Sequence, residues 1–341
     1  MTNPTGFKKQ SVAMSLGSRS THSKEEIIKL AQAAESLGYE AIFFGESWGR
    51  DLVSLMTMVA LNTKRIKLGT SIAGVWARTP GLMIQTALSL DDICNGRLIL
   101  GMGSGNLSLV KDWHGLPANQ PVQRTREYID ILRMGIRGEK LQYEGNFFKL
   151  DGRFQTAFKG PRDYIPIYIG SAGPKMTELA GEISDGWMPT HSDILKFDLM
   201  KEDFAKGAKK ANRNPNDFEV IPSMPACVDE DGTARQRFRE NRALYIAGLS
   251  DRYYKLTQRF GFGEEADRIK DAWDRGDYKA AANAVSDEMI DRSSIIGTPD
   301  HCRKQLEACW NAGMHMPRIS VVNPDLKVVY KTMEVLAPTN R

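Results

Sequence analysis

Short apolar runs alternate with longer amphipathic segments along most of the chain. Residues 24–37 show the helical pattern, with apolar positions at Ile27, Ile28, Leu30, Ala31 and Ala34. Ser23 and Glu26 have the spacing of a capping box at its start, and Gly38 is suited to end it. Such helices, placed between short runs rich in β-forming residues, predict parallel βα units.

The short apolar runs supply eight candidate strands. They are residues 11–16, 41–44, 66–70, 98–102, 167–169, 187–188, 218–228 and 318–322. We therefore predict the α/β class and a (β/α)8 TIM barrel in a single domain, residues 1–341. We expect an aromatic hairpin insertion near residues 141–160 and a polar helical insertion near residues 251–292. A doubly wound sheet is the main competing architecture.

Composition and charge limit the classes of molecule that the chain is expected to bind. The chain has 41% hydrophobic and 26% charged residues, as soluble globular enzymes do. The net charge is only +4 and its cations are scattered, so we expect no nucleic-acid partner. No apolar run is long enough to cross a bilayer, and residues 1–10 lack the apolar core of a leader. We expect no membrane association.

The cysteines and histidines point to no metal site. Cys94, Cys227, Cys302 and Cys309 form no CxxC pair, and the five histidines show no metal-ligand spacing. Free cysteines of this kind suit a reducing compartment, so we predict a cytoplasmic protein without a metal.

Two candidate strands run directly into glycine-rich loops. One loop is Gly103-Ser104-Gly105-Asn106, and the other is Gly170-Ser171-Ala172-Gly173, followed by a helix. Both lie at the carboxyl end of a parallel strand, where barrel active sites form. Glycine allows a ligand to approach the backbone, and the first N–H groups of a helix can bind phosphate. Tight βα turns without a ligand are the alternative.

Familiar catalytic motifs do not fit. The glycines from Gly101 to Gly105 begin like a dinucleotide fingerprint, but Asn106 occupies the third glycine position. Ser71 lies in a sequence that resembles a hydrolase elbow, yet residues 74–79 delay the helix that an elbow requires.

Four ordered segments resemble the bacterial luciferase-like superfamily. They are KLGTSI (67–72), NGRLILGMGSG (95–105), IPIYIGSAGPKMTELAGEISDG (165–186) and IIGTPD (295–300). Within that superfamily, the chain is similar to the coenzyme F420-dependent branch that includes methylenetetrahydromethanopterin reductase. The resemblance extends from about Ser11 to the C-terminus and implies the barrel fold.

The resemblance also implies cofactor contacts. Ser71 and Ile72 match the position of a non-prolyl cis peptide that forms a bulge behind the deazaflavin ring. The loop Gly170, Ser171, Ala172 and Gly173 matches the one that holds the coenzyme phosphate. Gly103, Ser104 and Gly105, with the adjacent Asn106, match a loop near the ring and its side chain.

Departures from the relatives leave the substrate open. Sugar-phosphate dehydrogenases of this branch carry His and Glu where this chain has Glu46 and Asn106. The reductase carries an acidic residue at the end of its first strand, where this chain has Met14 and Ser15.

Glu46 is the candidate catalytic residue. It is the ionisable side chain at a core strand end, and a carboxyl group in an apolar pocket can transfer a proton. We expect it to act as a proton donor or to anchor the substrate. The alternative is a structural ion pair with Arg50 or Arg78. Met14, Trp48, Trp76 and His191 are the candidate substrate-pocket residues, although the tryptophans could equally cover the barrel core.

These observations predict an oxidoreductase that transfers a hydride between coenzyme F420 and a small organic substrate. The reacting atom would be a carbonyl, imine or alcohol carbon, with a methylene-pterin among the candidates. One alternative is an FMN-dependent monooxygenase served by a separate flavin reductase, and another is a non-catalytic flavin-binding barrel. We also expect a homo-oligomer, either a dimer or a tetramer.

Overall fold

Parallel strands, each followed by one or more helices, make up most of the chain in the computed structural model. The structure describes residues 7–8, 10–17 and 19–338, so most of the segment in which we expect no leader lies outside the described residues. The strands are β1 (Ala13–Leu16), β2 (Ala41–Phe44), β3 (Lys67–Thr70), β4 (Ala73–Gly74), β5 (Leu98–Gly103), β6 (Gln142–Glu144), β7 (Lys149–Asp151), β8 (Ile167–Ser171), β9 (Gly186–Pro189), β10 (Glu219–Val220), β11 (Ser223–Val228), β12 (Ile295–Gly297) and β13 (Arg318–Val321).

The helices lie between these strands. They are α1 (Lys24–Ser36), α2 (Leu52–Leu61), α3 (Pro80–Ile93), α4 (Pro121–Ile136), α5 (Pro174–Ile183), α6 (Phe197–Lys210), α7 (Thr233–Ala243), α8 (Asp251–Arg259), α9 (Gly263–Asp274), α10 (Tyr278–Asn283), α11 (Asp287–Ser293), α12 (Pro299–Asn311) and α13 (Leu326–Val335). The capping box of α1 is present, with the Ser23 side chain and the Glu26 carboxylate each accepting from the other residue's backbone N–H. Short π-helical turns occupy Leu109–Trp113 and Leu244–Leu249.

The sheet closes into a barrel through one segment of chain, residues 219–228. From β1 the sheet continues through β2, β3, β5, β8 and β9 to β10 on one side, and through β13 to β11 on the other. At the junction Ile221 N donates to Trp187 O at 2.8 Å, and Arg318 N donates to Pro222 O at 2.9 Å. Pro222 has no N–H to donate, and it interrupts the single strand expected at residues 218–228. The predicted TIM barrel is confirmed.

Alternate residues of each strand point into the lumen. A separate apolar cluster fills it: Phe7, Ala13, Ala41, Phe43, Ile99, Tyr168, Met188, Ile221 and Met316. Glycines make room for its rings, since a Cβ at Gly69 would lie 2.3 Å from the Phe43 ring and one at Gly186 would lie 2.5 Å from the Tyr168 ring. The intervening strand residues, Met14 among them, pack against the helices in the main core.

The two segments expected to be insertions have the expected types of secondary structure. The antiparallel hairpin β6–β7 lies within residues 141–160, and helices α8 to α11 fill residues 251–292. Strand β12, which pairs with the end of β11, was not among the expected strands. It has three residues, too few to show an alternating pattern, and only the distant partner defines it.

No helix of the described residues has the length and apolar character required to cross a membrane.

Candidate functional site

A cavity opens at the carboxyl ends of the barrel strands. The space between its protein atoms is about 1240 Å³, which includes open solvent at the mouth. The predicted site residues that line it are Glu46, Trp48, Ser71, Ile72, Trp76, Ser104, Gly105, Asn106, Gly170, Ser171, Ala172 and His191. Met14, Gly103 and Gly173 were also expected there, and they do not line it.

The Ile72 side chain forms one wall of the cavity. A Cβ at Gly170 would lie 2.5 Å from Ile72 Cγ2, and one at Gly103 would lie 3.1 Å from Ile72 Cδ1. Both glycines therefore make room for Ile72, and Gly103 lies behind it instead of lining the cavity. The Ser71–Ile72 peptide bond is cis, as the resemblance implies. Hydrogen bonds from Ser71 N to Phe44 O (2.7 Å) and from Glu46 N to Ile72 O (3.3 Å) fix this segment beside β2.

The loop before α5 presents backbone N–H groups without a side-chain cap. Gly173 is the extended N-cap residue of α5, with φ −97°, and its side-chain position is 3.6 Å from Arg252 Cγ. Arg252 lines the cavity, so Gly173 lies at the rim behind it. The first N–H groups of a helix lack intrahelical partners and attract anions. The helix start and the guanidinium together form a candidate anion site.

The Ser171 hydroxyl bonds to other residues of the protein, so only the Ser171 backbone is offered to a ligand at this loop. Its hydroxyl accepts a hydrogen bond from Trp187 Nε1 at 2.8 Å and lies 2.8 Å from Thr177 Oγ1, within the protein. These contacts anchor the end of β8 to β9 and α5. The Ser171 side chain therefore stabilises the loop.

The loop after β5 is a glycine-dependent turn that lines the cavity, as expected from the sequence. Gly105 has φ +61°, which a side chain would strain, and its Cβ position meets no neighbouring atom. Asn106 Oδ1 accepts from Ser108 N at 2.9 Å, and the Ser104 carbonyl accepts from Trp76 Nε1 at 3.1 Å.

Glu46 lines the cavity and is also part of an ion pair. Its carboxylate accepts from the Arg78 guanidinium and, at 2.9 Å, from Gly74 N. Arg78 binds Asp51 as well, at 3.1 Å, whereas Arg50 donates to backbone carbonyls. Of the two ion pairs considered from the sequence, the one with Arg78 is present. A catalytic role for Glu46 stays a prediction.

Met14, on the first strand, does not lie in the substrate pocket as the sequence analysis expected. Met14 is buried among the helices, 2% exposed, because it points outward from β1. Its neighbour Ser15 points into the lumen and accepts from Arg318 Nη1 at 3.1 Å. Both residues were expected at the same strand end, but neighbouring residues of a strand point to opposite faces of the sheet.

The two predicted pocket tryptophans, Trp76 and Trp48, differ in how exposed they are. Trp76 is 7% exposed and Arg124 lies over its ring at 4.6 Å, so it joins the barrel core to the cavity wall. Trp48 is 47% exposed at the mouth, where Arg19 lies 4.4 Å above its ring.

His191 follows β9 and lies in a cluster of donors. Arg242 Nη1 is 2.7 Å from His191 Nδ1. Because arginine has no acceptor, Nδ1 must accept, and the neutral ring carries its proton on Nε2. Burial and the Arg242 charge hold the pKa of His191 well below its usual range. The imidazole is thus a neutral Nε2–H donor at physiological pH.

Two tyrosines complete this cluster. The rings of Tyr245 and Tyr253 lie 4.6 and 4.4 Å from the His191 ring, and both line the cavity. Burial raises the pKa of Tyr253 to about 12, so its hydroxyl remains protonated.

Several cavity residues carry no sequence motif. They are Arg19, Tyr245, Arg252, Tyr253 and Arg318. Three of them, together with Arg242 behind His191, belong to the segment from α7 to α8, which has the composition of a polar surface helix. The three-residue spacing of Arg242 and Tyr245, which places both on one helical face, is the signal that could have identified them.

The described residues contain no cluster of three or more metal-ligating side chains, and the four cysteines are buried thiols.

The family model for luciferase-like monooxygenases matches residues 7–316. The chain belongs to this family. This luciferase-like chain is 34% identical, over 85% of its length and 88% of the relative's, to the 5,10-methylenetetrahydromethanopterin reductase of Methanolobus tindarius.

Solved structures extend the comparison. The F420-dependent tetrahydromethanopterin reductase of Methanopyrus kandleri is similar to the luciferase-like chain with a TM-score of 0.83 and 26% identity, over 97% of this chain and 98% of that one. An F420-dependent secondary alcohol dehydrogenase, in complex with an F420-acetone adduct, has a TM-score of 0.78 at 19% identity, over 98% and 100% of the two chains. At that identity the likeness shows the fold.

The neutral His191 predicts a loss of stability in acid. Below pH 6.5 the unfolded chain protonates this histidine while the folded chain does not, so the free energy of unfolding falls as the pH decreases, by about 1.4 kcal/mol per unit. His191→Asn should reduce this slope, because asparagine tolerates the left-handed backbone (φ 54°) and still accepts from Arg242. Denaturant titrations of both proteins from pH 7.5 to 5 measure it. Parallel pH profiles would contradict the assignment.

Proposed function

We propose that this chain is an oxidoreductase that transfers a hydride between coenzyme F420 and a carbonyl, imine or alcohol carbon of a small organic substrate. The observation that carries the proposal is the cavity itself. Ile72 forms one wall, and the uncapped start of α5 lies at the rim beside Arg252. Relatives whose names include F420 match most of the chain.

The residues present fit a phosphorylated deazaflavin. The N–H groups at the start of α5, together with Arg252, suit a phosphate. The Ile72 wall and the loop Ser104–Gly105–Asn106 leave a space into which a planar ring can enter. The guanidinium groups of Arg19 and Arg252 suit further acidic groups outside the ring.

When bound, the deazaflavin supplies a ring carbon that carries a hydride, and the protein supplies position and electrostatics. Ile72 would support one face of the ring, which would leave the other face to the substrate. Negative charge that develops on a substrate oxygen is stabilised by donors on the cavity wall, and His191 Nε2–H, Tyr245 and Tyr253 are suited to that role. Glu46, at the end of β2, is placed to hold or move a proton.

Methylene-pterins remain among the candidate substrates because the relatives include reductases of that class. An FMN-dependent monooxygenase is the second candidate function, favoured by the description of the family model. Such an enzyme would need reduced flavin from a separate reductase. A non-catalytic flavin-binding barrel has no need of the donors around His191.

The first prediction for this function tests the phosphate loop. Gly173→Val should weaken F420 binding about tenfold or more, because its methyl groups cover the N–H groups at the start of α5. The barrel should stay folded, since Gly173 has an ordinary φ and its Cβ would make only a normal contact with Arg252. Fluorescence titration with F420 measures the affinity. Gly263→Val, at the start of α9 away from the cavity, is the matched control. Equal affinities in the two variants would remove this loop from the site.

Glu46 is tested by a charge-neutral replacement. Glu46→Gln should lower turnover by about 10²–10⁴-fold while leaving F420 affinity nearly unchanged, because a positioned proton-transfer group acts mainly in the chemical step. Asp51→Asn is the control, since it removes the other carboxylate partner of Arg78 and preserves the N-cap of α2. Parallel losses of melting temperature and activity in Glu46→Gln would instead indicate a structural ion pair.

The last prediction for this function concerns the cofactor. A deazaflavin has carbon at the flavin N5 position and does not readily activate oxygen, whereas reduced FMN does. We expect the purified protein to bind F420 in preference to FMN and the reduced complex to consume no oxygen. Competitive titration and an oxygen electrode measure both. Tight FMN binding with oxygen uptake would move the protein to the monooxygenases.

A further inference from the structure

Arg318 is a buried cation inside the barrel. It is the first residue of β13, opposite Ala13 of β1 and Ser223 of β11, and it is 8% exposed. Its side chain lines the cavity together with Met188, a member of the lumen cluster. Arg318 therefore lies at the base of the cavity, below the loops that form its mouth.

The guanidinium has few partners. Nη1 donates to Ser15 Oγ at 3.1 Å, and Nε is buried without an acceptor. Within the described parts of the chain, no carboxylate forms a salt bridge with it. The Phe43 ring is 6.0 Å away, at the outer limit of a cation–π contact.

A structural arginine in the same barrel is bonded differently. Arg97 donates through Nε, Nη1 and Nη2 to the carbonyls of Cys94, Ile66 and Ala60. Those contacts satisfy its donors and join the two αβ connections that precede β3 and β5. Arg318 makes no comparable set of contacts, so its place in the lumen is not explained by support of the barrel.

An unpaired buried charge is costly for a folded protein. Burial lowers the pKa of Arg318 to about 10, which still leaves the side chain charged at neutral pH. A cation that folding does not need, with an open donor at the base of a ligand cavity, is suited to an anionic acceptor.

We propose that Arg318, positioned by Ser15, binds an anionic oxygen group that reaches the base of the cavity. The inference rests on the proposed function for the identity of the cavity, and it adds the charge of the ligand. Either of two molecules can supply this anionic group. It is a carboxylate of the substrate or the pyrimidine end of the reduced deazaflavin.

The charge at this position bears on the substrate class. Ser15 faces the lumen and accepts from Arg318, which places a positive charge at the base of the cavity. A cationic iminium would be repelled there. The base of the cavity thus favours an acidic or oxygen-rich substrate over one that reacts as a cationic iminium.

The test compares Arg318→Met and Arg318→Lys with the wild-type protein, using isobutyrate and its neutral analogue isobutyramide as probes. Calorimetric titration is run on the protein with and without F420. F420 affinity is measured separately for the oxidised and reduced forms. Ser15→Ala, which removes only the positioning contact, provides a second variant that keeps the cation. Melting temperatures report any structural role.

If the substrate supplies the anion, isobutyrate binds the wild-type protein better than isobutyramide does. Arg318→Met then loses about 10- to 100-fold in isobutyrate affinity, as expected for a hydrogen bond to a charged group. Arg318→Lys retains part of it, and Ser15→Ala weakens it less. If the cofactor supplies the anion, the same loss appears for reduced F420 and is smaller for the oxidised form. In both cases Arg318→Met melts at or above the wild-type temperature, because an unpaired buried charge is gone.

Unchanged binding of both probes and of both forms of F420 in Arg318→Met would overturn the proposal. Unchanged binding in Ser15→Ala and Arg318→Lys would do the same if Arg318→Met fails to fold. A wild-type protein that does not bind F420 refutes the proposed function instead. The comparison of isobutyrate with isobutyramide on cofactor-free protein then still decides the role of Arg318.

Discussion

The packing of the Ile72 side chain across two glycines is the contact on which the mouth of the barrel depends. Gly103 ends β5 and Gly170 lies near the end of β8, and neither position has room for a Cβ beside Ile72. The backbone of Ser71 and Ile72 is hydrogen-bonded to the segment after β2. One side chain therefore fixes the relative positions of the ends of β2, β3, β5 and β8. The loops that follow these strands form the cavity.

The charge of the cavity differs from that of the whole chain. Net charge is only +4, yet Arg19, Arg252 and Arg318 line the cavity. Among the described residues its single acidic lining residue is Glu46, which is paired with Arg78. The cations lie at three depths: the mouth, the rim near α5 and the base. A ligand with acidic groups at one end and a reactive ring at the other suits this distribution. The net charge of the whole chain does not show this local excess of cations.

Part of the cavity wall comes from the segment between α7 and α8, which follows β11 and is not a barrel strand. Residues 244–253 bring Tyr245 and Tyr253 against His191, and α7 supplies Arg242, which fixes the tautomer of the histidine. The loops after the barrel strands thus supply Ile72 and His191, and the segment from α7 to α8 supplies Tyr245 and Tyr253, the other donors proposed to face the substrate. This division explains how one barrel can retain its cofactor while its substrate differs.

The sequence by itself determined the strands, the order of the βα units and the glycine-rich strand ends, because these follow from local periodicity and from the backbone freedom of glycine. It did not show that Met14 points outward while Ser15 faces the lumen, since the strand is too short for its pattern to reveal which face is buried. Nor did it show β12, which of Arg50 and Arg78 pairs with Glu46, or the unpaired Arg318. Each of those depends on which distant segment lies opposite. The closing of the barrel brings Ser15 to Arg318, Glu46 to Arg78 and His191 to Arg242, and long-range pairing of this kind leaves no trace in a local window of sequence.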